Sequence, residues 1–150
     1  MRAQATIKLT GPMDHLRIVW QTGEALLENV PFEEDPEGTR YNVQLALQEM
    51  VTNVLRHAYG LDERGPIEVA FELQDEALEV ELRDRGPAFD PLSFRRQRDE
   101  ADEADDAVPT EVGGFGIEIA RAVMDDVSYV REAGWNCLRL TKRLRKAVHA

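Results

Sequence analysis

Residues 45–60 read LALQEMVTNVLRHAYG, and the spacing of their apolar and polar side chains is the most informative feature of the chain. Apolar residues recur at steps of three and four up to the final glycine, so the pattern predicts an amphipathic helix over residues 40–59 that this glycine ends. Glu49, Asn53 and His57 are spaced i, i+4, i+8, which places them on one edge of the helix beside its apolar stripe. Such an edge is by itself typical of a solvated helix face, so its meaning depends on the neighbouring segments.

The segments on both sides of this helix predict further strands and helices. Residues 67–73 and 78–82 alternate apolar with mostly charged side chains, and residues 74–76 suit a hairpin turn, so this pair of strands is antiparallel. Other alternating or periodic stretches predict the remaining elements: a strand over 5–9, a helix over 13–29 with Asp14 at its N-cap, and strands over 127–130 and 137–140.

Asp84 lies where the second hairpin strand meets a turn, and Gly86 follows two residues later. A carboxylate at such a place can accept a hydrogen bond from an exocyclic amino group such as that of adenine. A glycine there lets the backbone approach a flat ring. Because Asp-x-Gly is also common in ordinary turns, the pair alone indicates no site.

A glycine-rich segment, Gly113-Gly114-Phe115-Gly116, opens a third predicted helix. Free backbone N–H groups and the helix dipole at such a start favour phosphate oxygens. The segment lacks the lysine of a Walker A loop, which excludes a P-loop. Before it, residues 86–112 lose all periodicity and contain an acidic run over 99–106, so they predict a long loop or mobile lid.

Each of these pieces is unspecific, but their order and spacing are not. The chain carries Glu-x-x-x-Asn-x-x-x-His-x-Tyr on a helix, two strands, Asp-x-Gly, a long lid and Gly-Gly-x-Gly on another helix, and it thereby resembles the Bergerat-fold ATPases of chaperones, gyrases and sensor histidine kinases. Four segments look most like the anti-sigma-factor serine/threonine kinases of bacteria: LALQEMVTNVLRHAYG over 45–60, LRDRGPAFDP over 82–91, GGFGIEIARAVMDDVSY over 113–129 and NCLRLTKRL over 136–144. The resemblance implies an α+β fold, a two-layer sandwich whose mixed, mainly antiparallel sheet carries helices on one face.

The resemblance also implies roles for the polar edge of the helix. Asn53 would be a ligand of Mg²⁺ through its amide oxygen, with triphosphate oxygens and waters completing the octahedron. Glu49 would be the catalytic general base that takes the proton from a serine hydroxyl or a water. His57 either faces the nucleotide or bonds a neighbouring carbonyl at the helix end, and the sequence favours neither.

The same resemblance assigns the remaining ATP-binding residues. Asp84 would read the adenine amino group, with Gly86, Ala88 and Phe89 flanking the base. Residues 91–112 would form the ATP lid, and the nucleotide contacts after it, with the glycines against the phosphates, would come from Gly113, Gly114, Phe115, Gly116 and Ile117. Histidine kinases have a glycine where this chain has Ala88, which argues against that branch.

Composition limits the function further. The chain has 150 residues, which predicts one domain with a single core, and the resemblance implies that this domain, residues 1–150, binds ATP. Its 18 Lys and Arg against 29 Asp and Glu give a net charge of −11, the opposite of what phosphate neutralisation requires, so we expect no nucleic-acid binding. No apolar run is long enough for a signal peptide or a membrane span, and the one cysteine, Cys137, excludes an intrachain disulfide. We therefore expect a cytoplasmic protein without a membrane partner.

The function that the resemblance implies is that of an ATP-dependent serine/threonine protein kinase and anti-sigma regulatory factor. Such a protein phosphorylates a STAS-domain anti-sigma-factor antagonist and sequesters a sigma factor, so both would be its partners, with ATP and Mg²⁺ as cofactors. The alternative is a non-catalytic module in which ATP gates protein binding, and a plain ATPase is a third option, because an intact base does not prove turnover. Related proteins commonly pair through their sheets, which leaves a homodimer open.

Overall fold

The computed structural model describes residues 2–11, 14–59, 65–92 and 116–145, and these form two layers, a sheet and a set of helices. The α+β fold that the sequence predicts is confirmed. Most of the expected lid, residues 93–112, lies outside the described residues, as do Gly60, Gly113, Gly114 and Phe115. In chain order the elements are β1 (Ala3–Leu9), α1 (His15–Leu27), α2 (Pro36–Tyr59), β2 (Ile67–Leu73), β3 (Ala77–Asp84), α3 (Gly116–Val123), β4 (Asp126–Glu132) and β5 (Trp135–Arg143).

The strands form one sheet in the order β1-β2-β3-β5-β4, and every pairing between the described strands is antiparallel. The parallel pairing of a mixed sheet does not occur among them, because β5 folds back on β4 in a hairpin and runs antiparallel to β3 as well. The predicted hairpin between β2 and β3 is present, and the backbone N–H of Gln74 donates to the carbonyl of Ala77 at 2.8 Å. The register sets Asp84 of β3 opposite Asn136 of β5.

One face of the sheet carries the core. On β3 alternate residues are buried, and Leu78, Val80 and Leu82 are at most 2% exposed. They belong to one apolar cluster with Met50 of α2 and Ala120 of α3, so the helices cover this face. Burying each large apolar side chain contributes about 1.5–3 kcal/mol, and this is the main source of stability.

The opposite face of the sheet carries charged side chains that pair across strands. Arg139 of β5 bonds Glu79 at 3.0 Å and Glu81 at 2.9 Å, and Arg83 of β3 lies 3.4 Å from Glu68 of β2. These ion pairs are at least partly exposed, and such pairs contribute little to stability, so the charged face adds much less to the stability of the fold than the apolar face does.

The two long helices begin at acidic caps. Asp14 caps α1 as predicted, since its carboxylate accepts from the backbone N–H of Arg17 at 3.0 Å. The prediction that α2 starts at residue 40 is wrong, because it starts four residues earlier at Pro36. Asp35 accepts from the N–H of Gly38 at 3.3 Å, and a proline suits the first helical position because the missing N–H has no partner there anyway. Asp35 and Pro36, whose residue types also suit a loop between two helices, therefore form the start of α2.

Helix α2 is the longest element and supplies the polar edge of the site. One side of its 24 residues faces the core and the other faces solvent, and its buried positions include Met50 and Asn53. None of the helices within the described ranges combines the length and the apolar character that crossing a membrane would require.

Candidate functional site

Asn53 is buried on α2 with only 8% of its surface exposed. Its side-chain oxygen Oδ1 is fully buried and has no hydrogen-bond partner. Leaving a buried acceptor unpaired costs about 1–3 kcal/mol. The amide oxygens of Gln44 and Gln48 on the same helix are also buried without a partner, but of the three residues only Asn53 lines the cavity described below. Asn53 therefore presents a free oxygen ligand inside the fold.

Glu49 lies one helical turn before Asn53 and is half-buried. The two share the edge that meets Gly116, the first residue of α3. A Cβ added to Gly116 would lie 3.0 Å from Cε of Met50 and 3.3 Å from Cβ of Glu49. The absence of a side chain at Gly116 thus lets the start of α3 approach this edge, while the next residue, Ile117, is buried in the core.

Asp84 ends β3 on the helix-covered face and is only 5% exposed. Its Oδ1 accepts from the backbone N–H of Gly86 at 2.9 Å and from Nδ2 of Asn136 at 2.9 Å. Burial raises the pKa of Asp84, while the bonds from Asn136 and Gly86 and the charge of Arg131 act in the opposite direction. Asp84 is a carboxylate held in place inside the protein, as a reader of a ligand group must be.

Asn136 holds Asp84 from the neighbouring strand, and the sequence did not reveal it. Its Oδ1 accepts from the hydroxyl of Tyr129 at 2.5 Å and from Nη1 of Arg131 at 3.0 Å. Arg131 also donates to the carbonyl of Gly86 at 3.0 Å. The one signal in the sequence is that Asn136 is polar at a position of β5 that points inward, as Leu138 and Leu140 do two and four residues later.

The end of α2 is tied to the turn that follows Asp84. A side chain on Gly86 would overlap Ala58 of α2, so this glycine permits close packing of helix and turn. The hydroxyl of Tyr59 donates to the carbonyl of Pro66 at 2.6 Å and accepts from the N–H of Arg85 at 2.8 Å. These contacts fix Asp84 relative to the polar edge of α2.

His57 stacks on Phe89, with ring centroids 4.2 Å apart and planes 14° from parallel. Partial burial, together with the positive charge of Arg56, lowers the pKa of His57, so the imidazole is neutral at physiological pH. Ala88, which was expected beside the base, is exposed and does not line the cavity between these groups. The structure thus brings His57 and Phe89 to the cavity but not Ala88.

The cavity itself is small, about 30 Å³, and joins α2 to the ends of β3, β4 and β5. Glu49, Gly86 and Gly116 lie outside its lining. No group of three or more His, Cys, Asp or Glu side chains able to hold a metal occurs among the described residues. The lining residues are Met50, Asn53, Val54, His57, Ala58, Asp84, Pro87, Phe89, Pro91, Tyr129, Asn136 and Leu138.

The arrangement suits a ligand with a flat base at one end and a polyanion at the other. Apolar and aromatic walls with one buried carboxylate acceptor are what an amino-bearing ring needs. An amide oxygen and the start of a helix are what a phosphate group and its cation need. The fold and the site together define a nucleotide-binding domain.

A family described as the histidine kinase-like ATPase domain has a profile that matches residues 13–142 of this chain. The match covers most of the chain and includes both ends of the site. The chain therefore belongs to the histidine kinase-like ATPase family, and membership implies that the nucleotide is ATP.

Curated relatives named serine-protein kinase RsbW are distantly homologous to this chain. The protein from Halalkalibacterium halodurans is 30% identical over 105 residues, a match that covers 70% of this chain and 63% of the relative. The protein from Oceanobacillus iheyensis is 29% identical over 93 residues, which covers 62% of this chain and 59% of the relative. The chain thus spans about three fifths of the length of these relatives.

Solved structures show the same fold. The RsbU and RsbW domains of a Mycobacterium tuberculosis protein match with a TM-score of 0.62 at 20% identity, covering 94% of this chain and 32% of that chain. The catalytic domain of the histidine kinase ThkA matches with a TM-score of 0.51 at 14% identity, covering 94% of this chain and 97% of that chain.

Proposed function

We propose that this protein is an ATP-dependent serine/threonine protein kinase of the anti-sigma-factor type. The observation that carries the proposal is the buried, unpartnered Oδ1 of Asn53, one helical turn from the carboxylate of Glu49. A ligand that pairs with this oxygen would remove the cost of leaving a buried acceptor unpaired. The distant homology to serine-protein kinases supports protein phosphorylation as the reaction.

The unpartnered oxygen of Asn53 fits Mg²⁺, which prefers oxygen ligands and is bound in proteins by few side chains. Asn53 would hold the ion, and the nucleotide and water would provide its other ligands. When bound, Mg²⁺ neutralises negative charge on the transferring phosphate.

Glu49 is the proposed general base. It lies half-buried on the same edge as Asn53 and next to Gly116 at the start of α3. Its carboxylate accepts the proton of the attacking serine or threonine hydroxyl, which makes the oxygen a better nucleophile. Asp84 would accept from the adenine amino group at the other end of the nucleotide.

The proposed protein substrate is a STAS-domain anti-sigma-factor antagonist, and the proposed second partner is a sigma factor that the protein sequesters. The homology to serine-protein kinases supports a protein substrate. The identity of both partners rests on the resemblance to the anti-sigma-factor kinases. We further propose a single catalytic domain that acts in the cytoplasm. An ATP-gated binding module without phosphoryl transfer is the second candidate, and the experiment below separates the two.

The test has two stages. First, binding of ATP, ADP and GTP is titrated with and without Mg²⁺. Then ATP labelled on its γ-phosphate is offered together with STAS-domain proteins from the same genome. Adenine-selective, Mg²⁺-dependent binding followed by label on a serine or threonine supports the kinase, binding without transfer supports the gated module, and absence of binding contradicts both.

A further inference from the structure

Asn136 is oriented from both sides, so its amide has one possible arrangement. Nδ2 faces acceptors, donating to Oδ1 of Asp84 at 2.9 Å and to the carbonyl of Pro87 at 2.9 Å. Oδ1 faces donors, accepting from Tyr129 at 2.5 Å and Arg131 at 3.0 Å. Exchanging the amide oxygen and nitrogen would set the oxygen against Asp84 and the carbonyl of Pro87, and the nitrogen against the guanidinium of Arg131.

This arrangement leaves one oxygen of Asp84 for a ligand. Both hydrogen bonds that its carboxylate accepts from other described residues, from Gly86 and from Asn136, fall on Oδ1. Oδ2 is therefore the acceptor that remains at the cavity, which Asp84 and Asn136 both line. An ionised carboxylate can only accept, so where position 6 of the purine faces Oδ2 it pairs with the amino group of adenine and not with the carbonyl oxygen of guanine.

We propose that Asn136, held by Tyr129 and Arg131, is a positioning residue that keeps Asp84 an obligate hydrogen-bond acceptor and thereby sets the preference of the site for adenine over guanine. The proposal rests on the proposed function, because it requires that Asp84 meets the base. It adds a residue of β5 and two of β4 to a site that the motifs place on α2 and on the turn after β3.

Electrostatics supports this role. Burial raises the pKa of Asp84, and the bond from Asn136 is the largest influence that opposes the rise. Without that bond a larger fraction of the carboxyl carries a proton, and a protonated carboxyl can donate to guanine. The titratable and charged groups around Asp84 are His57 and Tyr59 of α2, Arg85 of the following turn, and Tyr129 and Arg131 of β4.

The test compares the ratio of ATP to GTP affinity between wild type and three variants. Asn136→Ala removes the donor, Asn136→Ser keeps a short donor in its place, and Tyr129→Phe removes one of the donors that orient Asn136 while leaving its ring. We expect the ratio to fall about tenfold or more in Asn136→Ala, as for loss of a hydrogen bond to a charged group, and less in the other two. The fall should grow as the pH is lowered, because protonation of Asp84 adds to the effect of the lost bond.

A second measurement does not depend on nucleotide. The carboxyl carbon of Asp84 is titrated by ¹³C NMR, and its pKa should be higher in Asn136→Ala than in wild type, with Asn136→Ser between them. Equal loss of ATP and GTP affinity together with an unchanged Asp84 titration overturns the proposal and leaves the proposed function standing. If wild type binds neither ATP nor GTP, the proposed function is contradicted, and the role of Asn136 in base selection falls with it. This holds even if the pKa of Asp84 is higher in Asn136→Ala than in wild type.

Discussion

The two ends of the site are completed to different degrees. At the proposed base end, Oδ1 of Asp84 accepts from Gly86 and Asn136, and the amide of Asn136 is held in turn by Tyr129 and Arg131. At the phosphate end, the oxygen of Asn53 is buried without any partner. With the proposed roles, the fold itself would organise the recognition of the base, whereas the phosphate end would be completed only by its ligand. Changes at the base end should therefore affect stability and selectivity, and changes at the phosphate end should affect turnover and affinity.

The largest effect is expected from Glu49→Gln, which keeps size and polarity but removes the base. Phosphoryl transfer to the protein substrate should fall by about 10²–10⁴-fold, the usual contribution of general base catalysis. ATP affinity and melting temperature should stay within error, and both are measured on the same preparation. Glu24→Gln on the exposed side of α1 is the matched control. Transfer that survives Glu49→Gln unchanged would remove this residue from the chemistry.

Asn53→Ala tests the phosphate end directly. The affinity for ATP in the presence of Mg²⁺ should fall at least about tenfold. A loss of about tenfold is already typical when a residue that only orients a metal ligand is changed, and Asn53 is proposed as the ligand itself. Without nucleotide the variant should melt at the same temperature as wild type or above it, because the change removes an unpaired buried oxygen.

The counterpart of Asn53→Ala at the base end is Asn136→Ala. It should destabilise the nucleotide-free protein by about 1–3 kcal/mol, because it leaves Asp84, Tyr129 and Arg131 without a partner. Thermal and urea unfolding of the two variants measure the comparison. Equal losses of stability in both would mean that the two ends do not differ in the way described.

Asp84→Asn should reduce the preference for ATP over GTP about tenfold, because an amide can donate to the carbonyl of guanine and a carboxylate cannot. The wild-type preference should also depend on pH. Burial raises the pKa of Asp84 above that of an ordinary aspartate, so adenine affinity should decline as the pH falls toward that raised value, before an exposed carboxyl would titrate. Competition of the two nucleotides across pH measures both, and retained discrimination in the variant would exclude Asp84 as the reader of the base.

The smallest effect concerns His57. Its pKa is lowered in the folded protein, so protons bind the unfolded chain more tightly, and stability is lost as the pH falls below about 6.5, the ordinary histidine value. The partly exposed ring and screening by solvent keep this effect small. His57→Gln should flatten the dependence of melting temperature on pH in this range. An identical pH profile would mean that this imidazole does not contribute to it.

The elements were predictable from the sequence because each has a local signature. Residues 67–73 and 78–82 alternate strictly, and the apolar stripe of α2 repeats at helical spacing over several turns. The start of α2 was missed because acidic residues followed by a proline are common both at helix starts and in loops. Only the structure shows that the Asp35 side chain caps a helix whose first residue is Pro36.

The candidate site was predictable only where its residues follow one another along the chain. Glu49, Asn53 and His57 are related by helical spacing, and Asp84 by its strand end. Asn136 could not be placed beside Asp84, since that contact depends on the register between β3 and β5, which are separated by about fifty residues of sequence. Long-range register follows from packing of the whole sheet, and no local pattern encodes it.

The stack of His57 on Phe89 has a kinetic consequence. The space it leaves in the cavity, about 30 Å³, holds only about two water molecules and is far below the size of a usual ligand pocket. A base that enters this cavity would have to displace part of its lining, to which the stacked rings of His57 and Phe89 belong, so association would be preceded by an opening step. The observed rate of nucleotide capture would then level off at high concentration at the rate of ring separation, and the time for which a nucleotide stays bound would depend on how quickly the rings part again.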